Sequence, residues 1–218
     1  MTHRWVWLAL LFAVGVSPAA AQYHYQPTPK WEVAPFVGFE TSGSFPINNV
    51  NAPFTVDRLK ADQALSYGSF IDYGLSDSFQ VEMLWTRNST TFSERNGITG
   101  IYTKAFDSDI DLYSFGVLYM FRSPDAKLRP YAAGGIGFSH QFNSGATPNR
   151  TDFAFGMGGG VKYYATGHFG LRGDLRYIPA YANSSPGVYC DQFGFCYPAN
   201  VPNYLNRVNF TGGVVFRF

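Results

Sequence analysis

The sequence is poor in charge. Only 14% of its 218 residues are charged, and the 16 lysines and arginines almost balance the 15 aspartates and glutamates. Balanced charge argues against a general nucleic-acid-binding protein, so we expect no nucleic-acid partner. After residue 21, no apolar run approaches the roughly 18 residues that a membrane-spanning helix needs, and no segment shows convincing helical periodicity. The sequence therefore gives no sign of a transmembrane helix.

Cysteine is almost as scarce, with two residues in the whole chain. Cys190 and Cys196 lie in the loop-like stretch YCDQFGFCYP, and a close pair in an exported protein favours a local disulfide. A metal site is the alternative, but no histidine or third cysteine lies nearby, and Asp191 alone does not complete a coordination shell. We therefore predict a disulfide and expect neither a metal nor another cofactor.

The N-terminus has the features of an export signal. One positive charge in the first four residues precedes an apolar run over 5–16, and small residues then offer an A-x-A cleavage site before Gln22. No cysteine follows these small residues, so a lipoprotein anchor is not expected. The sequence predicts a signal peptide over 1–21 and a single domain over 22–218.

Aromatic residues and glycine are abundant, and the rest of the chain alternates between apolar and polar or small residues with a period of two. This alternation is typical of half-buried β-strands. The predicted strands are eight: Trp31–Glu40, Ala64–Gly74, Phe79–Asn88, about Asp109–Phe121, Arg129–Phe138, Asp152–Tyr164, Phe169–Ile178 and Arg207–Phe218.

The connections between these strands alternate in length. The links after the second, fourth and sixth strands are short turns, whereas the other links are long. This asymmetry is typical of an outer-membrane barrel, with short periplasmic turns and long extracellular loops, and a soluble sandwich has no reason to produce it. The predicted long loops are Thr41–Gln63, Ser89–Ser108, about Ser139–Thr151 and Pro179–Asn206.

The two faces of the strands differ in side-chain size. One face carries most of the aromatic rings, and the other carries small and charged residues. A soluble lipocalin-like barrel would place the rings inside, but an eight-stranded barrel has little interior room for them. We therefore expect the rings to face lipid and the charges to face the lumen.

The final strand supports the same fold. Phe210, Val214, Phe216 and Phe218 share one face, and the pattern resembles the C-terminal signature that the barrel-assembly machinery recognises. With its strand count, loop asymmetry, interior charges and segments such as WEVAPFVGFE and GLRGDLRY, the chain resembles the OmpA/OmpX-type small outer-membrane β-barrel family. The resemblance implies an all-β, eight-stranded antiparallel up-and-down transmembrane β-barrel without a peptidoglycan-binding domain. Small barrels of this family are poor candidates for open pores.

The inward-facing charges are the first candidate site. They could line a gated ion path, or they could form a fixed salt-bridge network that plugs the barrel. We favour the plug, because charges removed from water must be paired and acids and bases nearly balance here. The predicted members are Glu32, Asp72, Glu82, Lys162, Arg172, Asp174 and Arg176.

Two other candidates lie outside the lumen. His140 lies near Ser139 and Ser144, and outer-membrane lipid A deacylases use a histidine and a serine on the lipid-facing surface of a barrel. Ser139 points to the other face of the strand, and no acidic residue is obviously placed to orient His140, which leaves His140 and Ser144. The spacing is unfavourable, because four residues along a strand separate the pair by roughly 13 Å. The loop around the cysteines carries aromatic residues suited to binding a protein or glycan, and a stapled loop resisting proteolysis is the alternative.

We therefore expect a non-enzymatic, integral outer-membrane protein that supports envelope integrity or surface interaction such as adhesion. Its expected partners are outer-membrane lipids and lipopolysaccharide, the barrel-assembly machinery during biogenesis, and a surface protein or glycan bound by the loops. Two alternatives stay open: a narrow ion or small-solute channel, and a lipid A-modifying enzyme.

Overall fold

The computed structural model describes residues 30–46, 56–144, 149–181, 187–190, 196–199 and 204–218. The predicted signal peptide lies outside these residues. The described parts of the chain contain no helix that is long and apolar enough to cross a membrane. Their regular structure consists of strands: β1 (Trp31–Ser42), β2 (Ser44–Pro46), β3 (Val56–Ala61), β4 (Ala64–Gly74), β5 (Phe79–Asn96), β6 (Tyr102–Met120), β7 (Leu128–Asn143), β8 (Arg150–Tyr164), β9 (Phe169–Tyr181), β10 (Gly187–Cys190), β11 (Cys196–Ala199) and β12 (Tyr204–Arg217).

Eight of these strands close into a barrel. Each of β1, β4, β5, β6, β7, β8, β9 and β12 pairs antiparallel with the next, and β12 pairs back onto β1. A path that starts at Glu40 and steps from each residue to its paired residue on the next strand goes once around the barrel and ends at Lys30, just before β1. The ten-residue offset between Glu40 and Lys30 is the stagger of the sheet, and it tilts the strands against the barrel axis. The predicted eight-stranded antiparallel barrel is confirmed.

The orientation of the side chains is also as predicted. On β1, Val37 and Phe39 are 68% and 63% exposed, whereas Glu32 and Glu40 on the other face are at most 3% exposed. The same alternation runs along every barrel strand, because successive side chains of a strand point to opposite faces. Large apolar side chains therefore cover the outside of the barrel, and charged side chains such as Glu32 and Arg172 point to its axis.

The strands extend further than the sequence predicted, so the four long loops are shorter than expected. The predicted loop Thr41–Gln63 contains β2 and β3, and β3 pairs with the upper part of β5. The predicted loop Ser89–Ser108 is mostly strand, since β5 and β6 continue to a turn over 97–101. In the fourth loop, β10 and β11 form a small two-stranded sheet. The polar composition of these segments predicted loops. In the structure, their backbone groups pair with neighbouring strands beyond the lipid-facing wall.

Apolar side chains fill a layer of the lumen that the sequence analysis did not identify. Phe36, Phe70, Leu84, Leu112 and Ile178 point inward, and each is at most 5% exposed. They occupy the same face as the charged residues, so the interior consists of stacked layers rather than one polar channel. An interior this narrow is filled by its own side chains.

Candidate functional site

Lys162 on β8 lies at the centre of the lower lumen. Its Nζ donates to Glu32 Oε2 on β1 at 2.6 Å, to Asp72 Oδ2 on β4 at 2.6 Å and to Gln80 Oε1 on β5 at 2.8 Å. The lysine side chain is 0% exposed. Three donors of one ammonium group therefore hold three strands of the opposite wall.

Arg172 and Arg176 on β9 continue the network upward. Arg172 donates to Asp72 Oδ2 at 2.9 Å and to Glu82 Oε2 at 2.6 Å. Arg176 binds the same Glu82 carboxylate through two nitrogens, at 2.6 and 2.9 Å, and donates from Nε to Asp174 Oδ1 at 2.8 Å. Two-pronged binding of this kind fixes both partners in orientation as well as distance. The structure thus brings all seven predicted lumen residues into one connected cluster, which we call the plug.

Several members of the plug were missing from the sequence-based set. Tyr131 donates to Asp174 Oδ2 at 2.5 Å, and Tyr164 donates to Glu32 Oε1 at 2.9 Å. Arg217 Nε lies 3.1 Å from Glu32 Oε1 as an ion pair, although its N–H is not aimed well enough to count as a hydrogen bond. All three residues occupy inward positions of their strands. Their place in the alternating pattern could therefore have identified them as lumen residues.

Aromatic rings pack directly against the charged groups of the plug. The Arg172 guanidinium lies 3.6 Å from the centre of the Phe70 ring, and the Arg217 guanidinium lies 4.1 Å from that of Tyr164. Gly160 makes room for a third ring, since a Cβ there would come within 2.5 Å of the Tyr131 hydroxyl oxygen. Cation–π contacts and hydrogen bonds together pair the buried charges, as desolvation requires.

At the periplasmic end of the lumen, one arginine side chain connects two turns by hydrogen bonds. Arg129, which is 2% exposed, donates from Nη2 to the Asp77 carbonyl at 2.8 Å and from Nε to the Arg122 carbonyl at 3.3 Å. One side chain therefore links the β4–β5 and β6–β7 turns. Together with the plug, this contact places hydrogen-bonded charged side chains along the lower lumen.

His140 lies on the outer wall, near the extracellular end of β7. Its Nδ1 lies 2.5 Å from Thr151 Oγ1 on β8, while Ser139 points into the lumen and is 0% exposed. Ser144 Oγ accepts a hydrogen bond from the Asp107 amide, so neither serine is positioned for the predicted pairing. The sequence analysis found no acid near His140, whereas the register places Asp111 directly beside it. Asp111 is bound through both oxygens by Arg87, at 2.7 and 2.6 Å.

The predicted assembly signal lies on the outer face of the barrel seam. Phe210, Phe216 and Phe218 are 62%, 42% and 69% exposed, and Val214 on the same face is half-buried. The Phe218 amide donates to the Trp31 carbonyl at 2.9 Å, so the last residue closes onto the first strand. Recognition of these residues by assembly machinery stays a prediction.

The backbone places Cys190 opposite Cys196 in the β10–β11 pair. Directly opposed residues of antiparallel strands have Cα atoms about 4.5–5.5 Å apart, within the usual range for a disulfide. The cysteine side chains lie outside the described residues, so the disulfide stays a prediction. No group of side chains suited to a metal ion occurs among the residues that the structure describes.

Comparison with solved structures finds small outer-membrane barrels. Neisserial surface protein A (NspA) is 13% identical, with a TM-score of 0.58, and the match covers 86% of this chain and 97% of that one. The outer membrane protein OprG from Pseudomonas aeruginosa is 12% identical, with a TM-score of 0.59, covering 87% and 97%. At such low identity these similarities show the fold alone. Comparison with curated proteins gives no match.

The comparison with protein families is more specific. The model of the outer membrane protein beta-barrel domain matches residues 6–218, which is nearly the whole chain. The closed barrel, its apolar outer wall and its paired interior agree with this match. The chain therefore belongs to the outer membrane protein beta-barrel domain family and is an outer-membrane protein.

Proposed function

We propose that this protein is a non-enzymatic surface protein whose plugged barrel holds a rigid extracellular hairpin for interaction with another cell surface. The observation that carries the proposal is the projection of β5 and β6 beyond the membrane. β5 extends eight residues past Asn88, or about 27 Å along the strand, and pairs there with β3 and β6.

The end of this hairpin is ordered and apolar. Asn96 Oδ1 accepts the amides of Ile98 and Thr99, at 2.9 and 3.1 Å, and Gly100 adopts a φ of 69° that favours glycine. Ile98 is 80% exposed and Ile101 is 61% exposed. Apolar side chains held on a rigid tip lose little entropy on binding, which suits a protein partner better than a glycan.

Charge substitution at this tip tests the proposal. A bacterial strain expressing the protein should adhere to cultured epithelial cells or to a layer of the same bacteria. The Ile98→Asp/Ile101→Asp variant should adhere about tenfold less, as expected for an interface hot spot. Leu75→Asp is the matched control, because Leu75 is 62% exposed on the opposite, periplasmic rim. Equal adhesion of all three strains, with equal surface expression, would remove the surface-interaction role. Detergent sensitivity of a deletion strain would then favour a role in envelope integrity.

The channel alternative leads to a separate prediction. With the plug and Arg129 closing the lower lumen, the refolded wild-type protein should give no steady conductance in planar bilayers. The control is the Arg172→Ala/Arg176→Ala variant, which removes two charges that cross the lumen and should give brief openings where the wild type gives none. Regular single-channel currents from the wild type would contradict the plug.

For the lipid-modifying alternative, the positions of the side chains give less support. Thr151 is the hydroxyl nearest to His140, and Asp111 is engaged by Arg87 rather than orienting the imidazole. A catalytic histidine needs both a nucleophile and an orienting group in hydrogen-bond contact. We therefore retain the non-enzymatic assignment and propose export through a cleaved signal peptide over 1–21.

A further inference from the structure

A second polar cluster lies in the upper lumen, above the apolar layer. Arg207 on β12 is 1% exposed, and its Nη1 lies 3.3 Å from Glu40 Oε1 on β1. Among the residues that the structure describes, its Nε and Nη2 have no hydrogen-bond partner. A buried guanidinium with two unused donors is costly, so the arrangement points to a group that these donors bind.

The neighbouring strands extend this cluster. Asn209 donates to Glu40 Oε2 at 3.2 Å, and Ser66 Oγ donates to Asn209 Oδ1 at 3.3 Å across the lumen. Asn88 is the register partner of Ser66 and is 3% exposed, and its Oδ1 has no hydrogen-bond partner in the described part of the chain. Unused donors on Arg207 and an unused acceptor on Asn88 thus belong to one row on β12, β1, β4 and β5.

The opposite wall carries small side chains in front of this row. Its inward side chains at this level include Ser139, Ala154 and Ala180, which are small and fully buried. The Ser139 hydroxyl also has no hydrogen-bond partner within the described ranges. Phe36, Phe70 and Leu84 lie four residues below Glu40, Ser66 and Asn88 on the same strands and form an apolar floor. We call the part of the lumen between this row, the small side chains opposite and the apolar floor the upper chamber.

The free edge of Arg207 defines what the chamber can bind. Nε and Nη2 form the fork with which a guanidinium grips two oxygens, and Arg87 uses the same fork on Asp111, at 2.7 and 2.6 Å. Each acid nearby already binds a base: Glu40 pairs with Arg207, and Asp152 pairs with Arg150 through Oδ1 at 2.7 Å, while Asp152 Oδ2 has no hydrogen-bond partner among the described residues. We propose that the upper chamber binds a small oxyanion, a carboxylate or phosphate ester, with Arg207 as its anchor and Asn88 accepting from a donor on the ligand.

The test is an NMR titration of the arginine Nε–H signals of the full barrel in micelles. Two titrations are run at constant ionic strength. One replaces chloride by inorganic phosphate and the other replaces it by acetate, so the comparison distinguishes phosphate binding from carboxylate binding. The Arg207 signal, assigned by its loss in Arg207→Gln, should shift saturably with at least one of them. Asn88→Asp keeps the side-chain size but adds a negative charge, and it should weaken binding about tenfold.

Arg58→Gln is the control, because Arg58 is an exposed base on the extracellular strand β3 and its loss changes the net charge equally. This variant should bind as the wild type does. The proposal fails if the Arg207 Nε–H proton exchanges with water but its chemical shift does not change with either anion. It also fails if the response never saturates, or if Asn88→Asp binds as tightly as Arg58→Gln.

Discussion

Replacing Lys162 by Met should lower the free energy of unfolding by about 3–5 kcal/mol, the usual cost of removing one partner from a buried ion pair. The substitution leaves the side-chain length almost unchanged but removes the cation between Glu32 and Asp72, both at most 1% exposed. Two carboxylates would then be buried without their shared partner. Urea titration of the protein refolded in lipid vesicles, followed by heat-dependent gel migration, measures the loss.

The chain provides a control of the same chemistry in water. Lys104 donates to Asp107 Oδ2 at 2.6 Å, the same distance as the Lys162–Asp72 contact, but these side chains are 61% and 54% exposed. The Lys104 hydrogen bond lowers the pKa of Asp107, yet an exposed pair contributes at most about 1 kcal/mol. Lys104→Met should therefore leave stability nearly unchanged. Equal losses in the two variants would show that the plug is hydrated and that the lumen is not closed.

Replacing Val117 by Arg should cost about 2–4 kcal/mol, the penalty for a basic side chain at the bilayer midplane of a β-barrel. Val117 is 53% exposed on the outer wall and lies midway in sequence between Tyr113 on β6 and Phe121, the residue that follows β6. Those two aromatic residues are eight residues apart, or roughly 27 Å along a strand, which a tilt of about 40° reduces to roughly 21 Å across the membrane. The same urea titration applies.

Phe121→Arg is the matched control at the periplasmic end of the lipid-facing wall. Phe121 is 61% exposed and packs edge-on against Tyr119, in the aromatic belt where a long basic side chain can reach water. Its substitution should cost only about 0–1 kcal/mol. If the two arginines cost the same, the assigned depth is wrong. If neither has any cost, the outer wall does not face lipid.

The plug explains how a barrel with a polar interior can be rigid. An apolar core would stabilise the inside equally well, and buried ion pairs are not by themselves efficient stabilisers. In this barrel, however, Lys162 and Arg172 reach across the lumen and fix strands that are not neighbours in the sheet. We infer that such cross-lumen contacts hold the wall in one shape beneath the extracellular hairpin, which then presents its tip with little loss of entropy on binding.

Sequence periodicity predicted the parts of the fold that depend on the bilayer. Strand β4 has the predicted bounds, Ala64–Gly74, and the inward face of β9 carries the predicted Arg172, Asp174 and Arg176. A strand that separates lipid from a packed lumen must alternate, so the pattern is strong within the membrane. Above it, the outer face of β5 and β6 meets water instead of lipid and carries polar residues such as Ser89 and Thr91. The apolar half of the pattern is therefore missing there, and the predicted strand ends were wrong.

The sequence by itself determined the number of barrel strands, the closed barrel and the inward position of the seven predicted charges, because burial against lipid selects residue type at every second position. Only the tertiary structure decided which charges meet. The Lys162–Glu32 contact joins residues 130 positions apart, and the stagger of the closed sheet sets their common height in the lumen. Strand closure likewise brought Asn88 and Ser66 to the row that contains Arg207, and local periodicity carries no information about such distances around the barrel.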